Sequence, residues 1–437
     1  MKFDEYTLEE VTEKIFSGGT PKTKESEYWN GKYNWLSSGE TRKDFIKDTE
    51  KYITESGIKN SSTKLAKSND VVIASAGQGH TRGQTSYLLI DTYINQSIIA
   101  LRANTSILNP LYLYYNLSSR YSELRSISDS HSSRGSLTTK LLKELKMKLP
   151  SLVEQKKVTK LLYCIDKKIK VNNSLISNLE ELAQTLFKRW FVDFEFPNEE
   201  GKPYKSSGGK MVESELGVIP EGWDVTNIQS MPVIISDHVA NGSFASIKKN
   251  VQIVEDEDYA LFLRNTDLKQ DLQGERRYVT KSSYDFLKKT QLFGGEVIIS
   301  NVGDVGTIHR CPSLNRPMVL GNNLIVIQPT EQNEMLNTYF YFLFKSFEGK
   351  KLIKSITSGS VQMKFNKTDF RNMKIVIPES FEKMNMNILK KILLKVDLLK
   401  QEIESLSNLR DTLLPKLLSG EIELPDDMEV TDDVPIS

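Results

Sequence analysis

The second half of this 437-residue chain repeats the first. The segment Lys51-Tyr-Ile-Thr54 returns as Arg277-Tyr-Val-Thr280. Eighteen residues after the respective tyrosines come Asp70-Val-Val-Ile-Ala-Ser75 and Glu296-Val-Ile-Ile-Ser-Asn301. Each is a buried-strand pattern followed by a glycine-bearing turn, at Gly77 and at Gly303. Further on the offset settles at 228, where Asn109, Ser130, Ser132, Lys146 and Pro150 match Asn337, Ser358, Ser360, Lys374 and Pro378. A period this long implies two domains of one fold, not a solenoid. Strand and helix patterns mix within each copy, so the expected class is α/β (α+β), with domains at 1–150 and 223–378.

After each of the two prolines the pattern changes to a long helix. The first, expected over 151–195, opens on Ser151-Leu-Val-Glu154, the residue pair of a capping box. Apolar residues then recur in steps of four and three: Val158, Leu162, Ile165, Ile169, Ile176, Leu179, Ala183, Leu186 and Trp190, with Asn172 filling one place. The second, expected over 379–420, shows Leu389, Ile392, Val396, Leu399, Ile403, Leu406, Leu413 and Leu417, with Arg410 filling one. Both are coiled-coil seams. The alternative is two amphipathic helices, each packed on its own domain core. If the helices pair with each other, connectivity makes them antiparallel, and the result is a dumbbell of approximate two-fold symmetry from one chain. The polar Gly/Pro/Ser stretch within 196–222 reads as a linker or surface loop. Pro415 should kink or end the second helix near Leu414, with Gly420 as its C-cap. The acidic tail, 421–437, is expected to be disordered.

The net charge of +1 averages unequal pieces. The last 17 residues hold seven acids and no base, so the rest carries +8, a mild basic bias compatible with nucleic acid. Two cysteines exclude a disulfide framework and a cysteine zinc cluster. No apolar run approaches the roughly 20 residues of a membrane span, and MKFDEYTLEE is not a secretory signal. The expectation is a cytoplasmic protein with no membrane role.

Four segments now carry a resemblance. They are Gly18-Gly-Thr-Pro21 with Tyr28-Trp-Asn-Gly31, Leu182-Ala-Gln-Thr-Leu-Phe-Lys-Arg-Trp-Phe-Val-Asp-Phe194, Ile219-Pro-Glu-Gly-Trp223, and Leu413-Leu-Pro-Lys-Leu-Leu-Ser-Gly420. With the order domain, helix, domain, helix, the chain resembles the specificity (S) subunit of type I restriction-modification enzymes over nearly its whole length. The resemblance implies two target recognition domains, each reading one half of a split double-stranded DNA site, with the paired helices setting the spacing. It implies two modification subunits that bind S-adenosylmethionine and methylate adenine. It also allows two restriction subunits that use ATP and Mg. The S subunit itself binds no cofactor and catalyses nothing.

Two loops per domain are candidate DNA contacts. The first follows the buried strand: Gln78, His80, Thr81 and Arg82 in domain one, Asn301, Asp304 and Thr307 in domain two. Glycines there allow close backbone approach, and the polar side chains can bond bases or phosphates. An ordinary glycine turn is the competing reading. The second loop holds Ser132 and Arg134, with Lys140 and Lys143 behind, and in domain two Ser360, Gln362 and Lys364, with Lys367 and Arg371. Arg134 aligns opposite Gln362, and both residue types make bidentate base contacts. The alternative is that this loop docks on the helix pair. Asn109-Pro-Leu-Tyr112 resembles the Asn-Pro-Pro-Tyr motif of adenine methyltransferases, but an N-cap asparagine with proline at N1 explains it. His80, His131, His238 and His309 are scattered, and His309 with Cys311 finds no second pair, so none reads as a metal ligand. A stand-alone DNA methyltransferase would need cofactor motifs that neither half supplies. A coiled-coil adaptor without a DNA role is the other competitor.

Overall fold

The computed structural model describes residues 2–77, 79–130, 135–330, 333–381, 384–425 and 427–428. The chain falls into two compact units, 1–171 with 403–437, and 172–402. Both divisions fall inside long helices, Leu152–Phe187 and Asn387–Ser419.

In the first unit a five-stranded sheet runs in the order Thr12–Ser17, Ile98–Ala103, Val71–Ala74, Thr85–Leu88, Phe45–Ile46. Its central strands are apolar on both faces because both are covered. Val71, Ile73, Ile99 and Leu101 share a core with Tyr112, Tyr115 and Leu124 of the helices Pro110–Ser119 and Tyr121–Ser130. Val72, Ile98 and Ala100 face the other way, onto a core with Leu36, Ala66 and Ile94. These three come from a second sheet, ordered Lys51–Ile53, Trp29–Leu36, Thr92–Ile94, Lys64–Ala66. Strict alternation between two cores is what period-2 geometry gives a doubly buried strand. Asp4–Thr7 pairs with Lys146–Leu149 and ties the start of the domain to its end.

The second unit repeats this plan. The sheet order Val233–Asp237, Leu324–Pro329, Val297–Ser300, Ile308–Arg310 matches the first four strands above. The parallel pairing Trp35↔Tyr93 has its counterpart in Leu261↔Met318. Asp224–Asn227 pairs with Lys374–Ile377, as Asp4–Thr7 does with Lys146–Leu149. Local chemistry repeats too. Thr54 accepts from the Gly57 N–H and Thr280 from the Ser283 N–H, each capping a short helix. The acid before each buried strand holds a turn: Asp70 takes the Lys67 N–H at 2.8 Å, and Glu296 takes those of Phe293 and Gly294 at 2.6 and 2.7 Å.

The long helices form as their seams require. Val158, Leu162, Ile165 and Ile176 on the first are buried, as are Leu389, Ile392, Val396 and Leu399 on the second. Ile169, Leu179, Leu186, Ile403, Leu406 and Leu413 are partly buried. In the first unit Arg410 meets Asp166 at 2.9 Å, and in the second Asn172 meets Glu402 at 3.0 Å. Partner numbers fall along one helix as they rise along the other, which is antiparallel order. The Glu154 N–H donates to Ser151 Oγ at 3.3 Å, one half of the expected capping box, while the Glu154 carboxylate takes Lys157.

Four expectations need correction. The second long helix begins at Asn387, not at 379, because Phe381 packs against Tyr339 and Met384 and Met386 are buried ahead of it. That helix also continues through Pro415 to Ser419. Leu413, Leu414, Leu417 and Leu418 flank the proline and pack on the first domain's core, which offsets the roughly 3 kcal/mol cost of proline in a helix. Ile422 and Leu424 join the same core, so the chain stays docked beyond Gly420. The segment 196–222, expected as a linker or surface loop, is folded and contains a hairpin. Phe196 stacks between Tyr204 and Trp223, and Met211–Ser214 pairs with Gly217–Pro220.

Candidate nucleic-acid interface

In domain two the two candidate loops are neighbours. In domain two the Phe365 N–H donates to the Asn301 carbonyl at 3.1 Å and the Gly303 N–H to the Met363 carbonyl at 3.0 Å. Ser358 and Lys364 exchange two N–H···O bonds of 2.9 Å and close the loop between them. Gly359 makes this possible, since a side chain there would strike the Gln362 carbonyl. The tip projects: Val361 is fully exposed, and Ser360, Gln362 and Lys364 are exposed beside it. In domain one the Leu137 N–H donates to the Ser75 carbonyl at 2.9 Å, the equivalent bond. Ser132 and Arg134 lie outside the described residues, as does Gln78.

The residues of the first loops serve several ends. His80 is exposed and Thr81 half-buried. Asp304 accepts from Thr307 Oγ1 at 2.7 Å and pairs with Lys269, and those contacts push its carboxyl down to about 2. Asp304 is therefore a charged, engaged turn residue. Asn301 Oδ1 is buried without a partner. His309 is pushed down to about 4 by burial and by the charge of Lys345, and its Nε2–H donates to Asn265 Oδ1 at 2.8 Å. Cys311 is buried, and burial raises its thiol. Among the described residues no group of three His, Cys, Asp or Glu side chains is placed to hold a metal.

Three basic candidates are engaged within the domains. Arg82 is buried, pairs with Asp129 and fills the space over Gly135, where no side chain would fit. Lys367 donates to Asp237 at 2.9 Å and Arg371 to the Ile235 carbonyl at 2.7 Å, so both fasten their helix to the neighbouring strand. In this arrangement each of the three braces its domain through a partner distant in sequence. Lys140 is exposed, and Lys143 makes a surface pair of 2.7 Å with Glu9. Sequence reasoning missed Tyr121 and Arg125, whose side chains donate to the His80 and Gly79 carbonyls and fix the first loop of domain one. The signal was available in the 228-residue offset, which sets them against residues of another type. Asn109 is the N-cap it was expected to be, with its side-chain oxygen 3.0 Å from the N–H groups of Leu111 and Tyr112.

The model of the type I restriction modification DNA specificity domain matches residues 1–181 and 220–408. The chain belongs to that family. It is 26% identical to the type I restriction enzyme MjaIX specificity subunit of Methanocaldococcus jannaschii, over 94% of this chain and 91% of that one. Over 44% of this chain and 48% of the relative it is 31% identical to the EcoR124I/EcoR124II specificity subunit of Escherichia coli. The S subunit structure from M. genitalium superposes with a TM-score of 0.58 at 16% identity, covering 95% of this chain and 96% of that one, a likeness of fold. As a type I specificity subunit, the chain has a DNA-recognition role in a restriction-modification complex. Among its described residues no helix is long and apolar enough to cross a membrane.

Proposed function

We propose that this specificity subunit reads a bipartite, asymmetric DNA site, one half with each globular domain, and catalyses nothing itself. The long helices set the gap between the half-sites and dock two adenine-methylating modification subunits. Those subunits would supply S-adenosylmethionine, and two restriction subunits, where present, would use ATP and Mg in a cytoplasmic complex. The observation that carries the reading is the repeat with unlike loop tips. The same backbone bond is built twice, Leu137 to Ser75 and Phe365 to Asn301, while the loop sequences on either side of it differ. Two identical readers would demand a palindrome; two unlike readers in one chain fit an asymmetric site.

Gln362 gives the test. It sits exposed on a braced loop, and glutamine bonds the adenine edge in the major groove through two hydrogen bonds. In a library of methylation sites, Gln362→Ala in the assembled complex should relax discrimination at one base pair of one half-site, by about 1–3 kcal/mol. The other half-site should be read as before. Equal loss in both half-sites would mean that the loop supports the scaffold, and the division of labour would fall.

A further inference from the structure

The two domains share one plan, so a place filled in one and open in the other is informative. In domain one the helix Tyr121–Ser130 is fastened to the first loop, by the Tyr121 hydroxyl to the His80 carbonyl at 2.9 Å and by Arg125 to the Gly79 carbonyl at 2.5 Å. A side chain built on Gly83 would meet both residues at 3.6 Å. At the offset of 228 the corresponding residues of helix Phe347–Ile356 are Gly349 and Ile353. The geometry agrees, because a side chain built on Gly306 would meet Ile353 at 3.3 Å. Neither glycine nor isoleucine can bond to the loop. Nothing larger fits at 349 either, where a side chain would run into the Leu343 carbonyl. What remains is a cleft of about 480 Å³ between residues 303–307 and the helix. Lys350 and Lys354, both exposed, line its helix side, and Thr357 and Met363 its far end.

We infer that this cleft of domain two seats a phosphate of the DNA backbone, held by Lys350 and Lys354. The inference rests on the DNA-reading role proposed above. The one carboxylate in the lining, Asp304, is already engaged by Lys269, Thr307 and Asn265, so its charge is met inside the domain. The two lysines then set the sign of the cleft, and a compact ammonium suits a phosphate oxygen. The Met363 carbonyl binds the Gly303 N–H at the cleft wall, so the exposed tip with Gln362 begins at the next residue. A phosphate held here fixes the register of the duplex under that tip. Domain one closes the same place with Arg125 and Tyr121, so the two readers grip the backbone differently.

The experiment uses the full chain assembled with its modification subunit and two duplexes, one carrying the recognised site and one scrambled, titrated at several salt concentrations. The Lys350→Gln/Lys354→Gln variant should bind both duplexes more weakly by a similar factor. Its log-affinity against log-salt slope should be shallower by about 1–2, with the methylated sequence unchanged. An unchanged slope in a variant that melts with the parent would overturn the assignment, and so would a loss confined to the recognised duplex. Arg125→Gln in domain one should leave the slope where it was; a matching fall there would remove the asymmetry. If the unsubstituted complex binds neither duplex, the DNA-reading role fails and takes the cleft with it.

Discussion

Asn172 and Arg410 are the polar residues on two otherwise apolar seams, and each has a partner far away in sequence. Asn172 is fully buried, with Nδ2 on Glu402 at 3.0 Å. Arg410 donates to Asp166, whose other oxygen accepts the Tyr115 hydroxyl at 2.6 Å. Asp44 belongs to the same group. Burial, then the charge of Asp166, raises its carboxyl, and Arg410 opposes that rise. Removing one partner of such a cluster leaves uncompensated charge, so Arg410→Met should destabilise the full chain by on the order of 3 kcal/mol in urea unfolding. Adding Asp166→Leu should recover much of that. The pH sign follows from the raised carboxyl. Its folded-state pKa lies above the unfolded one, so its contribution is present at acid pH and is lost as pH rises through the raised value. Without Arg410 the Asp44 carboxyl rides higher still, so the deficit of Arg410→Met against the parent should shrink between pH 7 and pH 5. A deficit that grew on acidification would show that the cluster is not what Arg410 neutralises. The seam positions themselves were legible in the sequence, because heptad spacing is local. Their partners were not, lying 230 and 244 residues away. The partner of Arg82, Asp129, was out of reach for the same reason, being 47 residues on.

At the scale of elements, what the sequence displayed was periodicity and punctuation. Val71–Ala74 and Val297–Ser300 were readable as apolar runs before glycine turns. The second sheet of each domain was not, because its central parallel pairs join Trp35 to Tyr93 and Leu261 to Met318 across intervening elements. Pro415 was misread because local stiffness was weighed without the leucines that hold the helix on both sides of it. The long helices show a second feature beside the seam. Val171, Leu175 and Leu182 on the first, and Leu394, Leu398 and Leu409 on the second, are exposed apolar residues one or two places off the seam. Exposed leucines at helical spacing mark a face that another helix can cover. If the modification subunits dock there, burying the exposed half of each leucine contributes about 1 kcal/mol, and a carboxylate in its place adds a desolvation cost. Leu175→Glu and Leu398→Glu should each weaken assembly tenfold or more in a calorimetric titration with the modification subunit. The melting temperature of the chain alone should stay put, because neither leucine is in its core. Full-strength assembly by both variants would move the docking surface elsewhere.

For the whole molecule, the proposal that matters most is that helix length is converted into DNA spacing. The helices have 36 and 33 residues, or about 54 and 50 Å at 1.5 Å each. Each runs from one compact unit into the other, with the divisions at 171/172 and 402/403. A seam repeats every seven residues, so a heptad inserted at both divisions keeps the apolar faces in phase. It leaves Asp166 with Arg410 in one unit and Asn172 with Glu402 in the other, since no inserted residue falls between either partner and its own domain. The added length is about 10 Å, close to three base pairs at 3.4 Å each. The doubly extended subunit, assembled and mapped by methylation, should therefore recognise the same two half-sites with a gap about three base pairs longer. A heptad in only one helix breaks the pairing order and should cost stability without yielding a new gap. If the double insertion leaves the gap unchanged, or alters the half-site sequences, the helices are not the ruler, and the spacing must be set by the partner subunits.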